Sequence, residues 1–554
     1  MEKSIKLHQP NTYLIVGILL LIGYWFFAYD GITFSDDVAY IIYGQNFWMG
    51  NDVLTGEHFT FRWGAYLLSG LLTFIFGFND RIASLSSLIY CIGALILLWS
   101  IMPKPSAKFW LVLFFISNIY LLHFLPKVYP DSPLLFWTAL IPFSAYSRFK
   151  RPLESGLLMA LAFFVGFCTK ETIIYLAPFP FMLMLFDYIK DNGKSFYIYF
   201  FSFMALFAIL YLGYFEWKFE DAFFRFRSIQ EGHYVSPYSY FDKSWLIMLE
   251  RLTFIPITTF VERTYWIWII LSTPSIVRAF LTKRDLPIIF SLCTICMVVG
   301  FWFMSTSFSY YNPLHLNPRH LIVLIPLLSA NIAFENYRWL DNFFWNKFCS
   351  LWIAFGGFVA LSLMEWNIAI YYFLFASCLA FLESRFRLVG LVLLMISPVF
   401  LAANNQSDLK NYPHFKEAFI QNIENSDHNS PLISHQFICD SQEVILGELS
   451  PKKRAMSLEE FKAQPYLNAP QNFTLFIYKY SQHAYPNQTS LLQKVREFAR
   501  QNNYIETESR EDEWLHIVGF EKINPLSPLP KGEYAINIES KSKLFSRTSI
   551  ASSQ

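Results

Sequence analysis

Charge is scarce in this chain: Asp, Glu, Lys and Arg make up 15% of its 554 residues, against about a quarter in soluble domains. The charges nearly cancel, at a formal net of +1, so no global electrostatic argument favours nucleic acid, and no nucleic-acid partner is expected. Cysteine is scarce where it could staple anything. Six of the seven (Cys91, Cys168, Cys293, Cys296, Cys349 and Cys378) lie in apolar segments and only Cys439 in a polar one, so there is no disulfide framework. Cys293 and Cys296 have CxxC spacing but sit inside the apolar run 290–303, where packing on a helix face competes with any redox or metal role. No small-residue cleavage site follows the first apolar run, which is read as a retained span and not as a removed signal.

Apolar residues are abundant instead, at 54% of the chain, with 60 Phe. Most form runs of about 17–22 residues, long enough to cross a hydrocarbon core of about 30 Å as helices. In order, the runs predict spans at 12–29, 82–102, 109–126, 133–147, 155–169, 172–188, 195–215, 264–281, 286–305, 320–335, 348–364, 366–382 and 387–403, about thirteen in all. With the N-terminus cytoplasmic, alternate loops carry Lys104 and Lys108, then Arg148, Lys150 and Arg151, then Lys190 and Lys194, and so on to Arg385 and Arg387, as the positive-inside rule requires. The outer loop 216–263 is also basic and breaks the pattern.

Counting the apolar stretch 62–78 as a span would invert that bias, so 35–78 is read as interfacial helices of the first outer loop. The composition turns polar after Leu401. Residues 404–524 predict a small extracytoplasmic α/β domain, with strands at 432–439, 473–480 and 514–520 and an amphipathic helix at 491–501. The tail 525–554, rich in Pro, Ser and Lys, predicts a mobile end. The expected fold class is therefore mainly α: a polytopic helical membrane domain over 1–403 with a small C-terminal α/β domain.

The predicted outer loops hold Asp36, Asp37, Tyr40, Glu57, His58, Arg62, Lys127, Asp131, Lys170, Glu171, Arg225, Arg227, His233, Arg319 and His320. Several stand within two residues of a span boundary, where an ionisable group is costly unless it is paired or lines a wet cavity. In Ser35-Asp36-Asp37-Val38-Ala39-Tyr40, a helix places Asp36, Tyr40 and Tyr43 on one face. Ser35 as an N-cap and acidic residues in the first turn also suit a purely structural role.

The order of these signals resembles the GT-C superfamily of polytopic glycosyltransferases, in particular its protein O-mannosyltransferases and aminoarabinose transferases of lipid A. An acidic pair followed by Tyr opens their first outer loop, as do Asp36, Asp37 and Tyr40 here. A basic residue and an interfacial apolar helix ending in Phe-Gly come next, matched by His58-Phe59-Thr60-Phe61-Arg62 and Phe76-Gly77. Then come Tyr129-Pro130-Asp131-Ser132, Thr169-Lys170-Glu171, and Pro318-Arg319-His320 before Pro326. The second acidic residue is Asp where many members have Glu, and His320 stands where Tyr is common.

The resemblance implies transfer of a sugar from a polyprenyl-phosphate donor to a lipid, glycan or protein acceptor at the outer membrane face; the lack of disulfides and the short charged N-terminus point to a bacterial inner membrane, whose outer face is periplasmic. The resemblance makes Asp36 the base for the acceptor hydroxyl, with Asp37 beside it as a second catalytic carboxylate. Lys170 and Arg319 would hold the phosphate, backed by Arg62, Arg225 and Arg227, with Tyr40, His58, Asp131, Glu171 and His320 completing the substrate site. Attack opposite the phosphate inverts the anomeric centre without a covalent intermediate. Some relatives hold a divalent metal ion there; Glu57, His58 and His233 could ligate one, but their spacing does not demand it. Lys170 could instead serve an ion pair with Glu171 or Asp131. A transporter or flippase of lipid-linked saccharide is the other class open to such a chain, although no internal repeat is visible.

Overall fold

The computed structural model describes residues 10–189, 194–232, 239–307, 310–427, 430–463, 470–484 and 490–523. The tail 525–554 and His233 lie outside them. The protein is a polytopic helical membrane protein. Among the described residues, eight helices are long and apolar enough to cross a membrane, and shorter apolar helices, among them Trp63–Phe76, accompany them.

The first helix, Pro10–Phe27, packs on Asp80–Ile101 and Pro105–Ile116. Asp131–Tyr146 lies between Asp80–Ile101 and Pro152–Thr169, and Lys194–Phe219 covers the latter. Apolar side chains of these helices and of those between 265 and 399 merge into one core. Just past Tyr146, Arg148 is fully buried and grips both oxygens of Asp187 at 2.7 and 2.8 Å, with Asp285 on its other side. This clasp closes one end of the bundle, about 24 Å along a 16-residue helix from Asp131.

The structure amends the predicted spans where polar residues interrupt them. The run 109–126 divides into Pro105–Ile116 and Ile119–Phe124, because Asn118 accepts the amide of Leu121 and starts a new helix. Residues 172–188 begin as a 3-10 turn, Glu171–Leu176, before Pro178–Ile189. The stretch 216–263, read as a loop, contains the helices Phe224–Gly232 and Trp245–Glu262. Glu250, Arg251 and Pro256 break the apolar run there, yet Arg251 turns inward to the carbonyls of Phe301 and Trp302 at 3.0 Å. The segment expected at the interface folds as Asp36–Trp48, the 3-10 turn His58–Phe61 and Trp63–Phe76. The last is 14 residues, about 21 Å and too short to cross untilted.

Four strands form the C-terminal sheet: β1 Leu432–Ser434, β2 Asn472–Tyr478, β3 Tyr504–Glu511 and β4 Leu515–Lys522. They are ordered β1-β2-β4-β3, with β1 parallel to β2 and the other pairs antiparallel. The predicted strand 432–439 is only β1, followed by the helix Gln436–Leu446. β3 was not expected: after Tyr504 every residue of it is exposed, so it lacks the alternating pattern. The amphipathic helix Leu491–Gln501 is present and lays Val495 and Ala499 against the sheet.

Candidate active site

The charged residues that begin and end separate helices meet at the end of the bundle opposite the Arg148 clasp. Asp36 opens its helix, Asp131 opens another, Lys170 follows the last residue of Pro152–Thr169, and Arg319 lies in the first turn of Pro318–Leu321. Arg319 Nη1 lies 3.4 Å from Asp36 Oδ2, and its Nε lies 3.5 Å from Asp131 Oδ2. Its guanidinium rests 4.2 Å from the centre of the Tyr129 ring. Lys170 Nζ donates to Asp131 Oδ1 at 2.6 Å and to His320 Nδ1 at 2.7 Å. His320 Nδ1 also stands 3.3 Å from Asp131 Oδ1. Asp131 is thus the buried hub of two cations, while the Asp36 side chain keeps 37% of its exposure.

A second group adjoins the first through the sequence neighbours Lys170 and Glu171. Glu171 bridges Arg62, at 2.7 Å, and Arg225, at 2.8 Å. Arg62 Nη1 donates to the Tyr40 hydroxyl at 3.1 Å, and its guanidinium faces the Phe59 ring. Arg225 also donates to the Tyr211 hydroxyl and the Phe167 carbonyl, at 2.6 and 3.0 Å, and is fully buried. It ties the Tyr211, Phe167 and Glu171 positions together inside the protein.

Burial pushes the Tyr40 hydroxyl up to about 12, against the pull of Arg62. Burial likewise lowers the Lys170 ammonium to about 8, opposed by Asp131. These are the desolvation and charge effects expected in a partly dry site.

Asp37 does not stand beside Asp36 as a second carboxylate facing this cluster. It is 1% exposed and turns back to accept the amides of Thr33 and Ser35, at 2.7 and 3.2 Å, and the Thr33 hydroxyl at 2.6 Å. Burial raises its carboxyl above the usual range, against those hydrogen bonds. Ser35, expected as the N-cap, makes no side-chain cap bond, because Asp37 takes the turn's amides. Lys170 pairs with Asp131, not with Glu171.

His58 is buried against the Phe59 ring, and Glu57 is reached by Tyr43 at 3.5 Å. Among the described residues no three His, Cys, Asp or Glu side chains gather as a metal-ligand set. Tyr129, Thr33, Asp30 and Lys410 surround the site's turn and were not singled out as site residues. Thr33, Asp30 and Lys410 signal themselves in the sequence only by proximity to the acidic pair or to the end of the last span, whereas Tyr129 belongs to the Tyr129-Pro130-Asp131-Ser132 motif.

No protein-family model matches this sequence, and no curated protein matches it. Solved structures do match in fold. ArnT from Cupriavidus metallidurans, an aminoarabinose lipid A transferase of the GT-C type, superposes in its apo state with a TM-score of 0.56 at 12% identity. The match covers 92% of this chain and 98% of that one. The same protein bound to undecaprenyl phosphate superposes with a TM-score of 0.52 at 12% identity over the same shares. The chain has the ArnT fold.

Proposed function

We propose that this protein is a membrane glycosyltransferase that moves a sugar from a polyprenyl-phosphate donor to an acceptor hydroxyl, with inversion, at the extracytoplasmic face. The observation that carries the reading is Asp36, a partly exposed carboxylate, set 3.4 Å from Arg319 and joined through Asp131 to Lys170. A base and two phosphate-binding cations from three distant stretches of chain share one site. A fold matched by ArnT bound to undecaprenyl phosphate supports the donor class.

In this reading the donor phosphate takes over the Arg319 guanidinium that Asp36 holds in its absence, and Lys170 adds a second positive charge. Asp36 is released to accept the proton of the acceptor hydroxyl. The acceptor oxygen then forms its bond to the anomeric carbon, and the bond from that carbon to the phosphate oxygen breaks. The electron pair leaves with polyprenyl phosphate, whose new charge the cations stabilise. Asp131 keeps both cations in place, and the Glu171, Arg62 and Tyr40 group forms the adjoining wall. Glycan, lipid and protein acceptors all present the required hydroxyl.

The test is transfer by purified protein in detergent, where no gradient exists. With a labelled polyprenyl-phosphate sugar and a cell-envelope extract as acceptor, label should move to the acceptor and free polyprenyl phosphate should accumulate. Label that stays on the donor in detergent but crosses a vesicle bilayer would instead establish the flippase reading.

A further inference from the structure

Behind the site lies a second set of buried charges that the proposed reaction does not use. Asp30, just past the first helix, has a fully buried carboxylate. Lys127 Nζ reaches it at 2.9 Å, Gln406 Nε2 donates to it at 2.9 Å, and Lys410 Nζ lies 3.5 Å away. Lys410 also donates to the carbonyl of Ile32 at 3.0 Å. Burial alone would raise the Asp30 carboxyl, but Lys127 and Lys410 hold it below its usual range. Such a group is expensive to desolvate and is weak evidence for stability; fixing one arrangement is its better-attested use.

The arrangement fixed here is the turn 30–37. Gly31 and Phe34 have φ of +75° and +56°, a left-handed conformation unfavourable for Phe. A Cβ on Gly31 would strike the Tyr412 ring at 2.2 Å, so only glycine admits that ring. The Phe34 ring is enclosed by Tyr412, Phe415, Phe437, Tyr478 and Tyr480, all from the C-terminal part of the chain. The Tyr478 hydroxyl donates to the carbonyl of Lys410 itself. Asp37 holds the far side of the turn through Thr33. The Thr33 hydroxyl, already donating to Asp37, accepts from Tyr129 at 2.5 Å, and the Tyr129 ring underlies Arg319.

We infer that Lys410 is a positioning residue of the active site, through which the C-terminal α/β part of the chain holds the turn 30–37 and so aims Asp36 at Arg319. Resting on the function proposed above, this makes the C-terminal part a component of the catalytic apparatus. Misplacing a base by about 1 Å can cost roughly a hundredfold in rate. The acceptor and donor sites themselves would remain.

The test compares full-length wild type with Lys410→Met, Lys410→Arg and Thr33→Val, by hydrogen exchange of the peptide covering 30–40 and by donor kinetics. Lys410→Met and Thr33→Val should speed exchange there and lower kcat by roughly tenfold to a hundredfold, with the donor KM within about twofold. Lys410→Arg should recover much of both. Thr33→Val carries the test if Lys410→Met fails to fold. Unchanged exchange in the variants, or faster exchange with wild-type kcat, overturns the inference. If the wild type transfers no sugar, the proposed function fails, and the exchange result alone decides whether Lys410 holds the turn.

Discussion

Lys170 shows what a single buried cation demands of its neighbours. Its ammonium is 6% exposed, contacts Asp131 at 2.6 Å, and is lowered by burial to about 8. A lysine binds phosphate only while protonated, so donor binding should weaken as pH rises through about 8. The donor KM of the wild type should climb above that pH, whereas Lys170→Arg, whose guanidinium stays charged, should give a flat profile. A flat wild-type profile would remove Lys170 from the phosphate. Glu171 carries the opposite burden, pairing with both Arg62 and Arg225 at once. Glu171→Ala strands two buried guanidinium groups and should cost about 3–5 kcal/mol, read as a lower unfolding temperature in detergent. Asp36, Lys170 and Arg319 were legible as candidates because ionisable residues at span boundaries are conspicuous, and Asp131 was one of the two partners open to Lys170. The other pairings were not legible, since Arg62 and Glu171 meet across 109 residues and Arg319 and Asp36 across 283. The role of Asp37 was hidden for the opposite reason: its partners, Thr33 and Ser35, are so close in sequence that it reads as one half of an acidic pair.

At the scale of elements, the helices Asp36–Trp48 and Trp63–Phe76 cross almost backbone to backbone. A Cβ on Gly70 would come within 2.2 Å of the Gly44 carbonyl oxygen, and one on Gly44 within 2.9 Å of the Gly70 Cα. Gly70→Ala should therefore push the helix bearing Asp36 away from its neighbour, at about 1–3 kcal/mol, and lower both thermal stability and turnover. Normal behaviour on both measures would mean that the pair slides apart freely. The apolar runs made most helices legible. The helix Trp245–Glu262 was obscured because its charges look like loop residues until Arg251 is seen turned toward helix-end carbonyls. β3 was obscured because its exposed, acid-rich sequence has no buried face to alternate.

For the whole molecule, two of the buried charge clusters mark the two ends of the helical bundle. Arg148 with Asp187 and Asp285 lies past the end of the helix Asp131–Tyr146, and Asp131 with Lys170 and Arg319 lies at its start. If basic loops face the cytoplasm, cysteines introduced at Arg151 and Glu508 should be labelled from opposite sides of the membrane, Glu508 from outside. Labelling of both from one side would refute the proposed orientation. The central claim is that Asp36 takes the acceptor's proton while Arg319 and Lys170 hold the donor phosphate. Turnover of purified Asp36→Asn with saturating polyprenyl-phosphate sugar tests it most directly, alongside its affinity for undecaprenyl phosphate. The account predicts a loss of about a hundredfold to ten-thousandfold in kcat with lipid affinity near that of the wild type; wild-type turnover by Asp36→Asn would contradict it.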